Sequence, residues 1–112
     1  MEDEPELLAA MELIAVGRDG RERSFVVGVG RPHRRPTGEW ACLTLSPDLS
    51  GPRPSYGDNS LQALSLGLSF IRRRLEHHLE GGGRLLWAET RDEISRDDLS
   101  ACFSGVGDAG AG

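Results

Sequence analysis

Apolar positions along the chain change period twice, and the changes mark out its elements. From Glu12 to Arg18 (E-L-I-A-V-G-R) and from Arg21 to Val29 (R-E-R-S-F-V-V-G-V), short apolar and β-branched runs flank Asp19-Gly20. Asp-Gly between two such runs predicts a hairpin with a two-residue turn, because both residues tolerate positive φ. In the second run Phe25, Val27 and Val29 share one face, and Val26 and Gly28 share the other. Glu39 to Ser46 alternates again, Trp40, Cys42 and Thr44 against Ala41, Leu43 and Leu45. It reads as a third strand with Leu43 and Leu45 turned inward and Trp40 and Cys42 on the reverse. Pro47 ends it, and Pro52, Pro54 and Gly57 are expected to hold the next residues in a loop.

The period then becomes helical. Leu61, Leu64, Leu68, Ile71, Leu75 and Leu79 recur at three- and four-residue steps and predict one stripe facing a core, with Ala63, Leu66 and Phe70 widening its first half. Asn59 suits the N-cap with Gln62 three residues on, Asp58 complements the macrodipole, and Gly81-Gly82-Gly83 ends the helix. Gly67 beside the stripe implies a close approach to the sheet, since glycine in a helix costs about 1 kcal/mol relative to alanine. Arg84 to Glu89 predicts a fourth strand. Ser95 with Asp98, and Ile94 with Leu99, form a capping box and a staple for a short helix from Arg96 to Phe103.

These elements imply an α+β domain of two layers. Its sheet is antiparallel, of three or four strands in the order β-β-β-α-β, with one long amphipathic helix on one face and a short C-terminal helix. Residues 11–103 form the domain. Residues 1–10 are expected to be an acidic variable leader, with Met11 an alternative start, and 104–112 a disordered Gly/Ala tail.

Charge sharpens this picture. The net charge of −5 divides into −5 over residues 1–12, +4 over 13–84 and −4 over 85–112. Every basic residue is Arg, which alongside abundant Gly, Ala and Pro matches GC-rich codon usage and weakens any inference from arginine counts. No run approaches the roughly 20 apolar residues of a membrane span, and the acidic N-terminus lacks the basic start of a secretory signal, so the chain is expected in the cytosol. Cys42 and Cys102 then read as reduced thiols.

The segments Ile14-Ala15, Gly30-Arg31-Pro32, Trp40-Ala41-Cys42 and Gly57 to Leu64 (G-D-N-S-L-Q-A-L) occur together over about residues 11–80. In this the chain resembles a family of small bacterial proteins. Their pattern is a first strand with Ile-Ala, a second ending in Gly-x-Pro, a strand with Trp-x-Cys, and a helix opening with Gly-x-Asp-Ser-x-Gln-Ala-Leu. In this chain Asn59 stands between Asp58 and Ser60. No activity is assigned to the family, so the resemblance implies a bacterial source and the fold above, and no chemistry.

Several residues are candidates for binding. Arg31, His33, Arg34 and Arg35 lie in a nine-residue, two-proline connection that should project as a basic arm able to meet phosphate or an acidic protein surface. Arg72-Arg73-Arg74 fan around their helix and form no single patch. At pI 5.1, with 5% aromatic residues and no aromatic-basic motif, nucleic acid is not the expected partner. His77 and His78 are adjacent and lack the spacing of a helical metal pair. Asp58, Asn59, Ser60 and Gln62 gather polar groups at a helix start, where an anion docks but where capping explains the same residues, and a deep pocket joining Tyr56, Asp58 and His33 would favour a ligand-binding domain or an enzyme. Cys42 with His33 is the nearest approach to a nucleophile and base, and its mid-strand position argues for packing.

Without a catalytic motif, metal set or cofactor fingerprint, the sequence leans away from an enzyme and implies no cofactor. The expected function is a non-catalytic protein-interaction domain, of accessory or immunity type. The alternatives are a small-ligand or anion-binding domain and an enzyme with an unrecognised site. Val26 and Trp40 are expected to leave an apolar sheet face for a homodimer or protein partner, unless the segment from Ile94 to Phe103 folds back over it.

Overall fold

The computed structural model describes residues 7–46 and 52–103. Its architecture is α+β: an open antiparallel sheet, one long helix and a short C-terminal helix. The strands are β1 (Leu7–Val16), β2 (Glu22–Gly30), β3 (His33–Arg34), β4 (Trp40–Leu45), β5 (Arg53–Gly57) and β6 (Arg84–Trp87). Helix α1 (Ser60–Glu80) separates β5 from β6, and α2 (Arg96–Cys102) follows β6. The expected tail, 104–112, lies outside the described residues.

Two hairpins of the same design build the meander. At the first, Gly17 N–H donates to Arg21 O and Gly20 N–H to Gly17 O, each at 2.9 Å, and Gly20 takes φ +84°. At the second, Arg35 N–H donates to Glu39 O and Gly38 N–H to Arg35 O, each at 2.8 Å, with Gly38 at φ +102°. Each is a turn closed by a left-handed glycine, the usual three-residue hairpin loop. The two-residue Asp19-Gly20 turn is thereby corrected. Only the glycine is left-handed, while Asp19 Oδ1 accepts from Arg21 N–H at 3.0 Å.

The second hairpin also removes the basic arm. β4 pairs with β2 at Gly28↔Leu45 and Val29↔Thr44, then with β3 at His33↔Ala41 and Arg34↔Trp40. Between these two ladders the β2–β3 side carries one extra residue, so Gly30-Arg31-Pro32 is a bulge in one long strand, at a proline that has no N–H to give. Nor is the chain from Arg53 to Gly57 a loop. It pairs with β4 from Thr44 to Trp40 as an edge strand, the one place in a sheet that tolerates Pro54. The sheet therefore has more strands than three or four.

Register decides which face of β4 meets the helix, and it reverses the expectation. Val29, on the α1 side, lies opposite Thr44, which puts Cys42 and Trp40 on that side as well. Leu43 and Leu45 take the reverse face, half-buried. Val26 does lie on the reverse face, so Val26 and Trp40 are on opposite sides of the sheet. A cluster of Ile14, Val16 and Leu86 also occupies that face.

The main core lies between sheet and helices. Leu13, Ile71, Leu75, Leu85, Ile94 and Leu99 are its largest buried side chains, each worth about 1.5–3 kcal/mol when fully buried. The stripe on α1 sits slightly off the expected line. Ala63, Gly67, Ile71 and Leu75 are buried and Leu64, Leu68 and Leu79 pack beside them, but Leu61 is 71% exposed and Leu66 is also exposed. Asn59 caps α1, its Oδ1 accepting from Gln62 N–H at 2.8 Å, while Gln62 Oε1 accepts from Asp58 N–H. Gly82, at φ +94°, closes the other end.

α2 is held by the capping box of Ser95 and Asp98 and packs alongside α1, with Leu99 and Phe103 in the main core. Arg72 ties the two together, donating to Phe103 O at 3.4 Å and Ser100 Oγ at 3.5 Å. The segment from Ile94 to Phe103 thus lies on the helical side and does not fold over the reverse face.

Candidate functional site

The sequence-derived candidates do not converge. Arg31, His33 and Arg34 are exposed on the bulged strand. Arg35 is turned back onto its own hairpin, 3.7 Å from Glu39 and 5.2 Å above the Tyr56 ring. Tyr56 and Asp58 border a shallow depression with Glu39, Gln62 and Leu66, in which Gln62 and the Asp58 N–H are used in capping and Glu39 accepts from Thr37. Trp40 packs into the main core, and Val26 is 37% exposed on the opposite face.

Cys42 is buried, its Sγ donating to Gly30 O at 3.3 Å, and burial pushes the thiol pKa up, away from a nucleophilic thiolate. Because His33 lies opposite Ala41, the neighbour of Cys42 on the other face, it is not positioned as a base. His78 Nε2 lies 3.0 Å from Arg84 O, a contact within the helix-to-strand turn. Among the described residues there is no group of three or more His, Cys, Asp or Glu arranged to hold a metal ion, and no helix is long and apolar enough to cross a membrane.

What the sequence reading missed lies at the start of β1. The strand begins at Leu7, so three residues assigned to the leader, Leu7, Ala9 and Ala10, pair with β2 up to Gly30, and an irregularity between Leu7 and Ala9 leaves Leu8 without a register partner. β6 covers only Leu13 to Val16 of its other edge, and Ala88 N–H reaches Glu12 O at 3.3 Å as the chain turns away. Backbone groups alternate sides along a strand, so Ala10 directs its N–H and C=O to the same edge as Glu12. Among the described residues nothing pairs with that edge from Leu7 to Met11.

Two further edges are blunted, whereas β2 pairs with β4 only at Gly28 and Val29, so that among the described residues its stretch from Glu22 to Val27 is also paired on one side alone. β5 carries Pro54, and the outer edge of β6 is covered by its own chain, with Leu86 bridged to Glu93 and Ile94 N–H donating to Leu85 O at 2.8 Å. The open length of β1 is also apolar, Leu-Leu-Ala-Ala-Met, with Leu8 55% exposed and Ala9 and Ala10 exposed.

Beside it runs a cleft of about 170 Å³ lined by Ala9, Met11, Val29, Leu68, Ile71 and Phe103, with Cys102 at its rim. A second recess, of about 470 Å³, begins where β6 ends and holds Glu12, Glu89 and Asp92 beside Met11 and Trp87. The nearby Arg91 is directed elsewhere, to Glu22 at 2.7 Å.

Comparison with protein-family models, curated proteins and solved structures finds no match for this chain. The site is therefore read from its geometry alone. That geometry offers main-chain hydrogen bonding along an extended line, apolar contact on one side of the line and negative charge at one end.

Proposed function

We propose that this chain is a non-catalytic protein-interaction module, accessory to the activity of another protein, that takes an extended segment of its partner onto the free edge of β1. The observation that carries this reading is the apolar edge from Leu7 to Met11, unpaired among the described residues and lying beside an open cleft, where the edges of β5 and β6 are blunted. Strand addition uses such an edge, with main-chain hydrogen bonds for affinity and side-chain recesses for selectivity. The anion-binding alternative is weaker because Asn59 and Gln62 already cap the start of α1.

Affinity capture with the full-length chain and with an Ala9→Trp variant, whose indole fills the cleft, tests the proposal. A partner retained by the wild type and lost by the variant, with unchanged circular dichroism, supports it. Equal retention by both proteins refutes it.

A further inference from the structure

The edge of β1 and the recess beyond it specify the chemistry of the segment that binds, an inference that rests on the interaction reading above. We infer that the partner supplies an extended stretch that begins with one or two basic residues and continues with apolar side chains at alternate positions, antiparallel to β1.

The geometry fixes direction and pattern together. A strand laid antiparallel along Leu7–Met11 continues the line of β6, so its first residues abut Ala88 and its last run toward Leu7. The antiparallel arrangement is the more stable per residue. At its first residues lie Glu12, Glu89 and Asp92, while the nearby Arg84 and Arg91 are paired with Glu93 and Glu22. A basic side chain there meets negative charge. Residues opposite Met11 and Ala9 face the same side as those two, into the cleft beneath Leu68 and Phe103. The residue between them, opposite Ala10, faces the reverse side and is free in identity.

Other occupants fit less well. A second copy paired antiparallel through the same edge supplies Leu7 to Met11, which hold no basic residue to meet Glu12, Glu89 and Asp92. Residues 104–112 follow Phe103 at the rim of the cleft, but they contain Asp108, no basic residue and Val106 as their single large apolar side chain.

The probe is the synthetic peptide Arg-Arg-Val-Thr-Leu-Thr-Val, labelled at its C-terminus and titrated with the full-length protein by fluorescence anisotropy. Glu-Glu-Val-Thr-Leu-Thr-Val serves as its charge-reversed control. The basic peptide is expected to bind at least about tenfold tighter than the control at low ionic strength, with the preference shrinking as salt is added. The double variant Glu89→Arg with Asp92→Arg should invert the preference, and Ala9→Trp should weaken both peptides. Equal affinity of the two peptides, with both weakened by Ala9→Trp, overturns the charge assignment and leaves the edge reading standing. Absence of saturable binding by either peptide, or binding unaltered by Ala9→Trp, overturns both.

Discussion

Gly67 lies directly over Thr44. A methyl group placed on Gly67 comes within 2.8 Å of Thr44 Cγ2, with Val29 and Cys42 next nearest at 3.6 and 3.7 Å. Thr44 is buried, branched and held by its hydroxyl, which donates to Arg53 O at 3.0 Å, so it has little room to yield. This contact sets how closely α1 rides on the sheet.

Gly67→Ala is therefore expected to destabilise the fold although alanine is the better helix former. The propensity gain of about 1 kcal/mol is outweighed by an overpacking cost of roughly 1–3 kcal/mol. Thr44→Ser removes Cγ2 and keeps the hydroxyl, so in that background Gly67→Ala should be neutral or stabilising. Urea denaturation of the four proteins in this double-mutant cycle measures the coupling, and additive effects would contradict the close contact.

The buried stripe of α1 makes a paired prediction. Leu75 is fully buried and Leu61 is 71% exposed. Leu75→Ala should cost about 2–5 kcal/mol and Leu61→Ala less than about 0.5 kcal/mol by chemical denaturation. Similar losses at both positions would place the stripe wrongly.

Asn59 is expected to act through the helix and not through a ligand. Asn59→Ala should cost about 0.5–2 kcal/mol, and Asn59→Asp, which retains an accepting oxygen, should restore most of it. Peptide binding at the β1 edge should be unchanged in both. A stability unaffected by Asn59→Ala would remove the capping role.

The two cysteines are expected to differ in reactivity. Cys102 is exposed and Cys42 buried, and both are free. An alkylating reagent near neutral pH should modify Cys102 rapidly and Cys42 only on unfolding, as read by mass spectrometry of digested protein. Because burial raises the pKa of Cys42 above its unfolded value, its contribution to stability is complete below the ordinary thiol range. That contribution should be lost as pH rises through the raised value. Equal labelling of both thiols in the folded protein would contradict this.

Much of the fold was legible because local signals agreed. The cap at Asn59, the glycines after Glu80 and the box at Ser95 bound α1 and α2 nearly where the structure has them. What misled were positions where two readings compete. Pro52 and Pro54 signal a loop, yet an edge strand needs no ladder bond from such a residue. In β4 both alternating sets, Trp40-Cys42-Thr44 and Ala41-Leu43-Leu45, are apolar enough to face a core. The bulge at Gly30 to Pro32 then helps set a register that no local pattern reveals.

The open edge left a trace that composition alone obscures. The ten residues from Leu7 to Val16 are apolar but for Glu12, whereas the later strand that pairs with them, Arg84 to Trp87, has four. A strand longer than its neighbour leaves backbone groups unpaired. That mismatch, and not the arginines at 31, 34 and 35, is the trace in the sequence of the edge proposed here to bind.

Amide hydrogen exchange at single-residue resolution tests the edge most directly. In the isolated protein at micromolar concentration the account predicts that Ala10 exchanges quickly, while Ala9 and Met11, bonded to β2, are protected. Saturation with Arg-Arg-Val-Thr-Leu-Thr-Val should then protect Ala10. An Ala10 amide already protected in the isolated protein, or one that stays unprotected at saturation, would contradict the claim that β1 offers its free edge to a partner.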